Sequence, residues 1–266
     1  MTSSAILGEF LTARRRRLRR DDLGLLPIAG KRLGLRREEV AFLSGVSMTW
    51  YTWLEQGRQV SPSRQVLNAL SQTLRLSDAE RDYVLSLAGY FAPRPVVPVQ
   101  QEIPTQVQRF PDSLADFPTC VFAQNWEYVA WNDAYSELYP GLSTVPAADR
   151  NLLWLLFTDP YLRDSIPDWE LTVRSNVAAF RKGAGPGLSG PPFADVIERL
   201  LEASEPFREV WESHPIEVLR SRVRAFHHPV AGELHFEVHH MKPSEQPGLH
   251  VVIYTPLPGT DIPDVA

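Results

Sequence analysis

Four side chains in the stretch MTWYTWLE, namely Met48, Thr49, Thr52 and Trp53, are the ones whose types and spacing promise chemistry. Tyr51 and Leu54 stand three apart in the same stretch, so a helix there packs both inward and turns the four outward. Ser47 is placed to cap that helix, its hydroxyl taking an orphan amide of the first turn. Upstream, Arg37 to Ser44 reads as another short helix with Val40, Ala41 and Leu43 inward, and Gly45-Val46 supplies a turn between the two. Two short helices joined through a glycine-containing turn form the pattern in which the second helix enters the major groove of DNA. A row of arginines precedes it: Arg14, Arg15, Arg16, Arg17, Arg19 and Arg20, followed by Lys31, Arg32, Arg36 and Arg37. That clustering is the footprint expected of a phosphate-binding face.

Other chemistry is thinner. All seven histidines lie beyond residue 213. His235, Glu237 and His239 share one face of a strand, with Leu234, Phe236 and Val238 on the other, but neighbours on a strand face are ~6.5 to 7 Å apart. That spacing is too wide for one ion without further ligands, so the row reads as a solvent face and no metal is expected. His227 and His228 either anchor a ligand head group or cap a turn. The motifs of nucleophilic serine hydrolases, zinc peptidases, P-loops and dinucleotide-binding turns are absent from the sequence, and neither a catalytic role nor a cofactor is expected. In the aromatic-rich second half, Trp131, Phe157, Phe180, Phe226 and Phe236 are candidates for lining an apolar pocket. Arg174 and Arg224 are candidates for anchoring a carboxylate there.

The elements that must position these groups divide into two sets. The chain has 266 residues, enough for two domains with a core each, and a net charge of −5. Residues 1–92 carry 14 Lys and Arg against 9 Asp and Glu, a net of +5; the remainder carries 13 against 23, a net of −10. A basic front and an acidic back suit a nucleic-acid module joined to one that avoids nucleic acid. One cysteine, Cys120, and no long apolar run fit a reducing cytoplasm and no membrane span.

A first helix over 6–20 shows an apolar stripe of Ile6, Leu7, Phe10, Leu11 and Leu18. Ser61 and Pro62 are expected to open a fourth helix, with Val66, Leu67, Leu70 and Leu74 inward. Ser77 to Glu80 is a capping box opening a fifth. The prolines of 93–104 predict an extended, semi-rigid spacer and a domain boundary. Beyond it, Cys120 to Ala123 and Tyr128 to Trp131 suggest a hairpin, Asn132 or Asp133 a cap for the helix that follows, and NLLWLLF a buried segment. Residues 167–182 read as a helix, and the breaker-rich run from Lys182 to Pro192 as a mobile loop. Two helical stretches follow, around Val196 to Leu201 and Phe207 to Trp211. Three strands close the chain at Arg220 to Phe226, Glu233 to Met241 and Leu249 to Thr255. The expectation is a five-helix domain over 1–92, a spacer over 93–104, an α+β domain with an antiparallel sheet over 105–260, and a tail over 261–266.

The first half resembles the XRE (lambda-repressor-like) regulators on Arg36 to Ala41, Gly45-Val46-Ser47, Trp50-Tyr51 and Leu54 to Arg58. The resemblance implies base-reading at Met48, Thr49 and Trp53, beside Ser47 and Thr52 on the same helix, and phosphate contacts near Arg37, Arg58, Ser63 and Arg64. Trp53 stands where that family more usually has a polar or basic residue, so a bidentate hydrogen bond to a base edge is excluded there. The second half resembles the PAS-like ligand-binding domain of the MmyB-type regulators. It does so on Tyr128 to Asn132, Arg150 to Leu152, Phe157 to Pro160, Asp168 to Glu170, Phe207 to Trp211 with His214, Phe226 to Pro229, Gly232 to Leu234 and Val252 to Pro258. That resemblance implies a transcription regulator, working as a homodimer on double-stranded operator DNA, whose second domain encloses a small, fatty-acid-like ligand. Two rivals differ in class: a second domain that is purely a dimerisation module with a filled core, and a small-molecule enzyme tethered to DNA.

Overall fold

The computed structural model describes residues 2–24, 34–91, 105–216, 223–246 and 248–258. The proline-rich 93–104, Lys31, Arg32, Arg220 and the tail 261–266 lie outside the described residues. The N-terminal domain is built from α1 (Ser3–Arg17), α2 (Arg37–Ser44), α3 (Met48–Glu55), α4 (Arg64–Thr73) and α5 (Asp78–Leu87). Its helix starts are chemically set. Ser47 accepts from Trp50 N at 3.2 Å, and Ser77 and Glu80 cap each other reciprocally, as the sequence pattern requires. Gly45 ends α2 with φ +69°, a left-handed conformation that favours glycine. At Gly8 a side chain would collide with the backbone of Leu54 and Glu55, so glycine lets α1 and α3 lie close together.

Two expectations shift. Helix α4 starts at Arg64 with Ser63 as its cap, two residues later than Ser61; Pro62 is instead buried, with its carbonyl accepting from the Tyr90 hydroxyl at 2.9 Å. Leu43 is exposed, because the cover over α2 reaches only Val40 and Ala41.

The second domain begins with α6 (Thr105–Asp112), the hairpin β1 (Thr119–Ala123) and β2 (Tyr128–Trp131), and α7 (Asp133–Leu138). Asn132 ties these together. Its carbonyl oxygen accepts from Thr119 N and Tyr135 N, while its amide donates to the backbone oxygens of Pro111, Leu114 and Phe117. The helices α8 (Leu152–Thr158), α9 (Pro160–Ser165), α10 (Trp169–Ala184), α11 (Phe193–Ala203) and α12 (Glu205–Glu212) follow. The strands β3 (Val223–His228), β4 (Gly232–Met241) and β5 (Leu249–Pro256) complete an antiparallel sheet of order β2-β1-β5-β4-β3. Helices α7 to α10 pack over one face of it, while Val107 of α6 packs on the opposite face against Val121, Ala123, Val129 and Val251, in a PAS-like α+β arrangement.

The run after Lys182 is not the loose loop expected. Helix α10 continues to Ala184, a 3-10 turn spans Gly185–Ser189, and Leu188 is buried against α5. Its one large apolar side chain gives the segment a reason to dock. This contact belongs to a single core in which Ile6, Phe10, Tyr83 and Val84 of the first domain join Val177, Phe180, Leu188 and Phe207 of the second. The halves therefore share buried apolar surface, where two self-contained cores were expected.

Candidate DNA-reading face and ligand cavity

The outward face of α3 carries Met48 (55% exposed), Thr49, Thr52 and Trp53 (39% exposed), while Tyr51 and Leu54 are buried. Thr52 spends its hydroxyl proton on the Met48 carbonyl at 2.8 Å, leaving its oxygen and methyl to face outward. The Arg58 guanidinium lies 5.6 Å from the Trp53 ring centroid, a cation–π arrangement that orients both. Arg58, Ser63 and Arg64 are exposed together at the end of α3 and the start of α4. Ser63 there presents a helix N-terminus, a position suited to phosphate.

The arginine run divides by depth. Arg14 and Arg15 are buried and hold the domain together: Arg14 pairs with Glu80 of α5 at 2.6 Å, and Arg15 grips both oxygens of Glu55 and the Leu35 carbonyl. Arg20 pairs with Glu39, whereas Arg16, Arg17 and Arg19 are exposed. The continuous phosphate-binding row read from the sequence is thus partly structural, because a run longer than half a helical turn cannot keep every member on one face. Here the adjacent Arg14 and Arg15 fall on the inward side of α1, and Arg16 and Arg17 on the outward side. Arg37 also reaches Glu55, donating to it at 2.6 Å while staying half exposed. Burial alone would raise the Glu55 carboxyl, but the hydrogen bonds from Arg15 and Arg37 hold it below the usual range.

In the second domain a cavity of about 500 Å³ opens between the sheet and the helices. Its floor is the inner face of the strands, with Phe122, Val238, Val252 and Tyr254; its roof is Leu152 and Leu156 of α8, Leu162 of α9, and Thr172, Ser175, Asn176 and Ala179 of α10. That volume lies inside the ~300–1,000 Å³ typical of small-molecule sites, and the mostly apolar walls match as well. Polar side chains interrupt them on α10 and just before it, with Asp168, Thr172, Ser175 and Asn176, and in two further groupings. Deep in the cavity the hydroxyls of Tyr128 and Tyr135 meet at 2.9 Å, with Tyr254 alongside. Burial pushes all three phenols up, so they remain neutral hydrogen-bonding groups. Toward solvent, His240 Nδ1 and His250 Nε2 are 3.1 Å apart beside Arg224. Burial, with His240 and Lys242 nearby, brings His250 down to about 4; burial and the Arg224 charge lower His240. Near neutral pH the pair is uncharged, one ring donating to the other. Apolar Leu171 (49% exposed) and Val223 (43% exposed) border the same cavity, marking an entrance that an apolar molecule can cross.

With this geometry in view, the comparison with known families is decisive. Residues 103–264 match the MmyB-like transcription regulator ligand binding domain. The chain belongs to the MmyB-like transcription regulators. Residues 6–84 match a helix-turn-helix domain, so this family member pairs a DNA-binding module with a ligand-binding one. No curated protein is significantly similar to the chain.

Within the MmyB-like domain the seven residues singled out from the sequence scatter. Arg224 and Phe226 line the cavity. Phe157 and Phe180 lie in the helical core, Phe157 edge-on to Phe207 and Phe180 to Phe193. Phe236 is fully buried with Leu138 and Leu234 beneath the far end of the sheet, and Trp131 packs against Tyr128 and under Arg150. Arg174 stands at the boundary with α1, its Nη1 3.4 Å from Ser213 Oγ. The tyrosines and the His240–His250 pair were missed. A signal for His240 was present, since it continues the period-two register of Leu234, Phe236 and Val238 and so turns inward at the end of β4. His228 caps a turn: its Nδ1 accepts from Ala231 N at 3.0 Å and its Nε2 lies 3.1 Å from Glu137 O. Among the described residues no group of three or more His, Cys, Asp or Glu could hold a metal, and no helix is long and apolar enough to cross a membrane.

Proposed function

We propose that this ligand-regulated transcription factor binds an elongated apolar acid of the fatty-acid class, and that occupancy alters the affinity of a cytoplasmic homodimer for its operator. The observation that carries the ligand class is the pairing of a largely apolar cavity with Arg224 and an imidazole pair on its more exposed side. A hydrocarbon tail gains from burial against Phe122, Leu152, Leu156, Val238 and Val252, while a carboxylate at Arg224 keeps its charge near water. The domains divide as 1–92, 93–104 and 105–260. On DNA, Met48, Thr49, Thr52 and Trp53 meet base edges, with Trp53 against a thymine methyl or the sugar. Ser47, Arg37, Arg58, Ser63 and Arg64 hold phosphates. A two-fold dimer would place its recognition helices in successive major grooves, on a two-fold symmetric site.

The test is selection from random duplexes, with and without dodecanoate. A symmetric site is expected, with at least about a fivefold change in affinity on adding the acid, the lower end of typical allosteric coupling. Enrichment of no sequence, or an affinity indifferent to dodecanoate, would count against it.

A further inference from the structure

Helix α10 presents two stripes. Thr172, Ser175, Asn176 and Ala179 line the cavity, whereas Val177, Phe180, Arg181 and Ala184 face the core shared with α1 and α5. The second stripe follows the first by five residues, about 140° round the axis at 3.6 residues per turn. One rigid element thus has one side in the ligand site and the other against the DNA-binding domain.

Arg181 is the unusual member of the inner stripe. It is 2% exposed, lies 3.7 Å over the Trp211 ring, donates to the Trp211 carbonyl at 2.8 Å and meets His214 Nδ1 at 3.2 Å. Its charge faces Tyr83 of α5 and Glu9 of α1. His214 is held from both sides: its ring by Arg181, its carbonyl by Arg14 of α1, which donates at 2.7 Å. Burial, with the two arginines beside it, brings the His214 imidazole down to about 4, so it meets Arg181 as a neutral acceptor. The α10 wall of the ligand site therefore leads to one polar contact with α1.

We propose that Arg181, His214 and Arg14 form the coupling contact through which cavity occupancy reaches the helix-turn-helix domain. A molecule seated against the Thr172 to Ala179 stripe shifts α10, and Arg181 carries that shift to α1 and α5. Apolar surfaces tolerate small slides, but a buried guanidinium with directional partners does not, so it moves its neighbours with it. This rests on the reading of the cavity as the regulatory ligand site, and it assigns the three residues to positioning the domain, with no contact to ligand or DNA.

The test is amide hydrogen exchange on the full chain, with the cavity filled in two ways: by dodecanoate, and by Ala179→Phe with no ligand added. Filling is expected to change exchange in α1 and α5 by at least about fivefold. In Arg181→Met and in His214→Ala the response of α8 and β3 should persist, while that of α1 and α5 falls below about twofold, under the range of ordinary coupling. A purely structural role would alter resting exchange and leave the response to filling intact. The proposal is overturned if α1 and α5 ignore a filled cavity in the unmodified protein, or respond equally in either variant. If dodecanoate leaves α10 untouched while Ala179→Phe still moves α5, the ligand class is wrong and the coupling contact stands.

Discussion

At the scale of single residues, charge placement decides most of the outcomes. Glu55 is a carboxylate without solvent exposure of its side chain, satisfied by Arg15 and Arg37. Replacing it with alanine leaves Arg15 buried and unpaired, a change that costs about 3–5 kcal/mol in comparable sites, and thermal or denaturant unfolding will show it. The pH dependence follows from the lowered carboxyl. The unfolded chain binds the proton first as pH falls, so the contribution of Glu55 is full above the ordinary glutamate value and is lost as pH drops through the lower folded value. Glu55→Gln should flatten that acid limb of the stability curve. Arg224 carries the corresponding prediction for the cavity. Arg224→Ala should weaken dodecanoate binding by about 10- to 100-fold, the worth of a hydrogen bond to a charged group, and leave dodecanol nearly unaffected. Equal losses for acid and alcohol, measured by calorimetry, would place the head group elsewhere.

At the scale of elements, the turn between α2 and α3 is the most exacting. Gly45→Ala puts a side chain at φ +69° and should cost about 1–2 kcal/mol, with a matching loss of DNA affinity if α3 is misdirected. Ser63→Ala removes the cap of α4 and should cost about 1 kcal/mol in the unfolding free energy. The α2–α3 turn, the caps Ser47 and Ser77 and the face of β4 were legible in the sequence because their signals are local: a glycine in a turn, a serine three residues before an amide, and period two. The cap of α4 was expected at Ser61, since Ser61-Pro62 carries the same local signal as Ser63. Pocket lining was not legible. Phe180 and Phe226 look alike in the sequence, yet one is sealed against Phe193 and the other borders a cavity, because the difference depends on which helix lies opposite. The arginine run misled for a related reason. The partners that bury Arg14 and Arg15 are Glu80 and Glu55, far along the chain, and nothing in the run itself announces them. Leu188, in a stretch dominated by glycine and proline, was concealed in the same way, since its docking site belongs to α5.

At the scale of the whole molecule, the shared core makes the two domains one mechanical unit. A chain joined only by a spacer could bind a ligand in one half without consequence for the other; here Phe180, Leu188 and Phe10 sit in one cluster. Thermal unfolding should accordingly follow a single transition, with far-ultraviolet ellipticity and tryptophan fluorescence changing together. Separate transitions for the helical domain and the tryptophan-rich second domain would show that the shared surface contributes little. The cavity is the feature on which the functional account depends, and the most direct measurement is mass spectrometry of a solvent extract from purified, denatured protein, run beside Leu156→Trp, which fills the cavity from α8. A near-stoichiometric apolar carboxylic acid is expected from the unmodified protein, and none from the variant. The same molecule in equal amount from both, or a bound species with no acidic group, would contradict it.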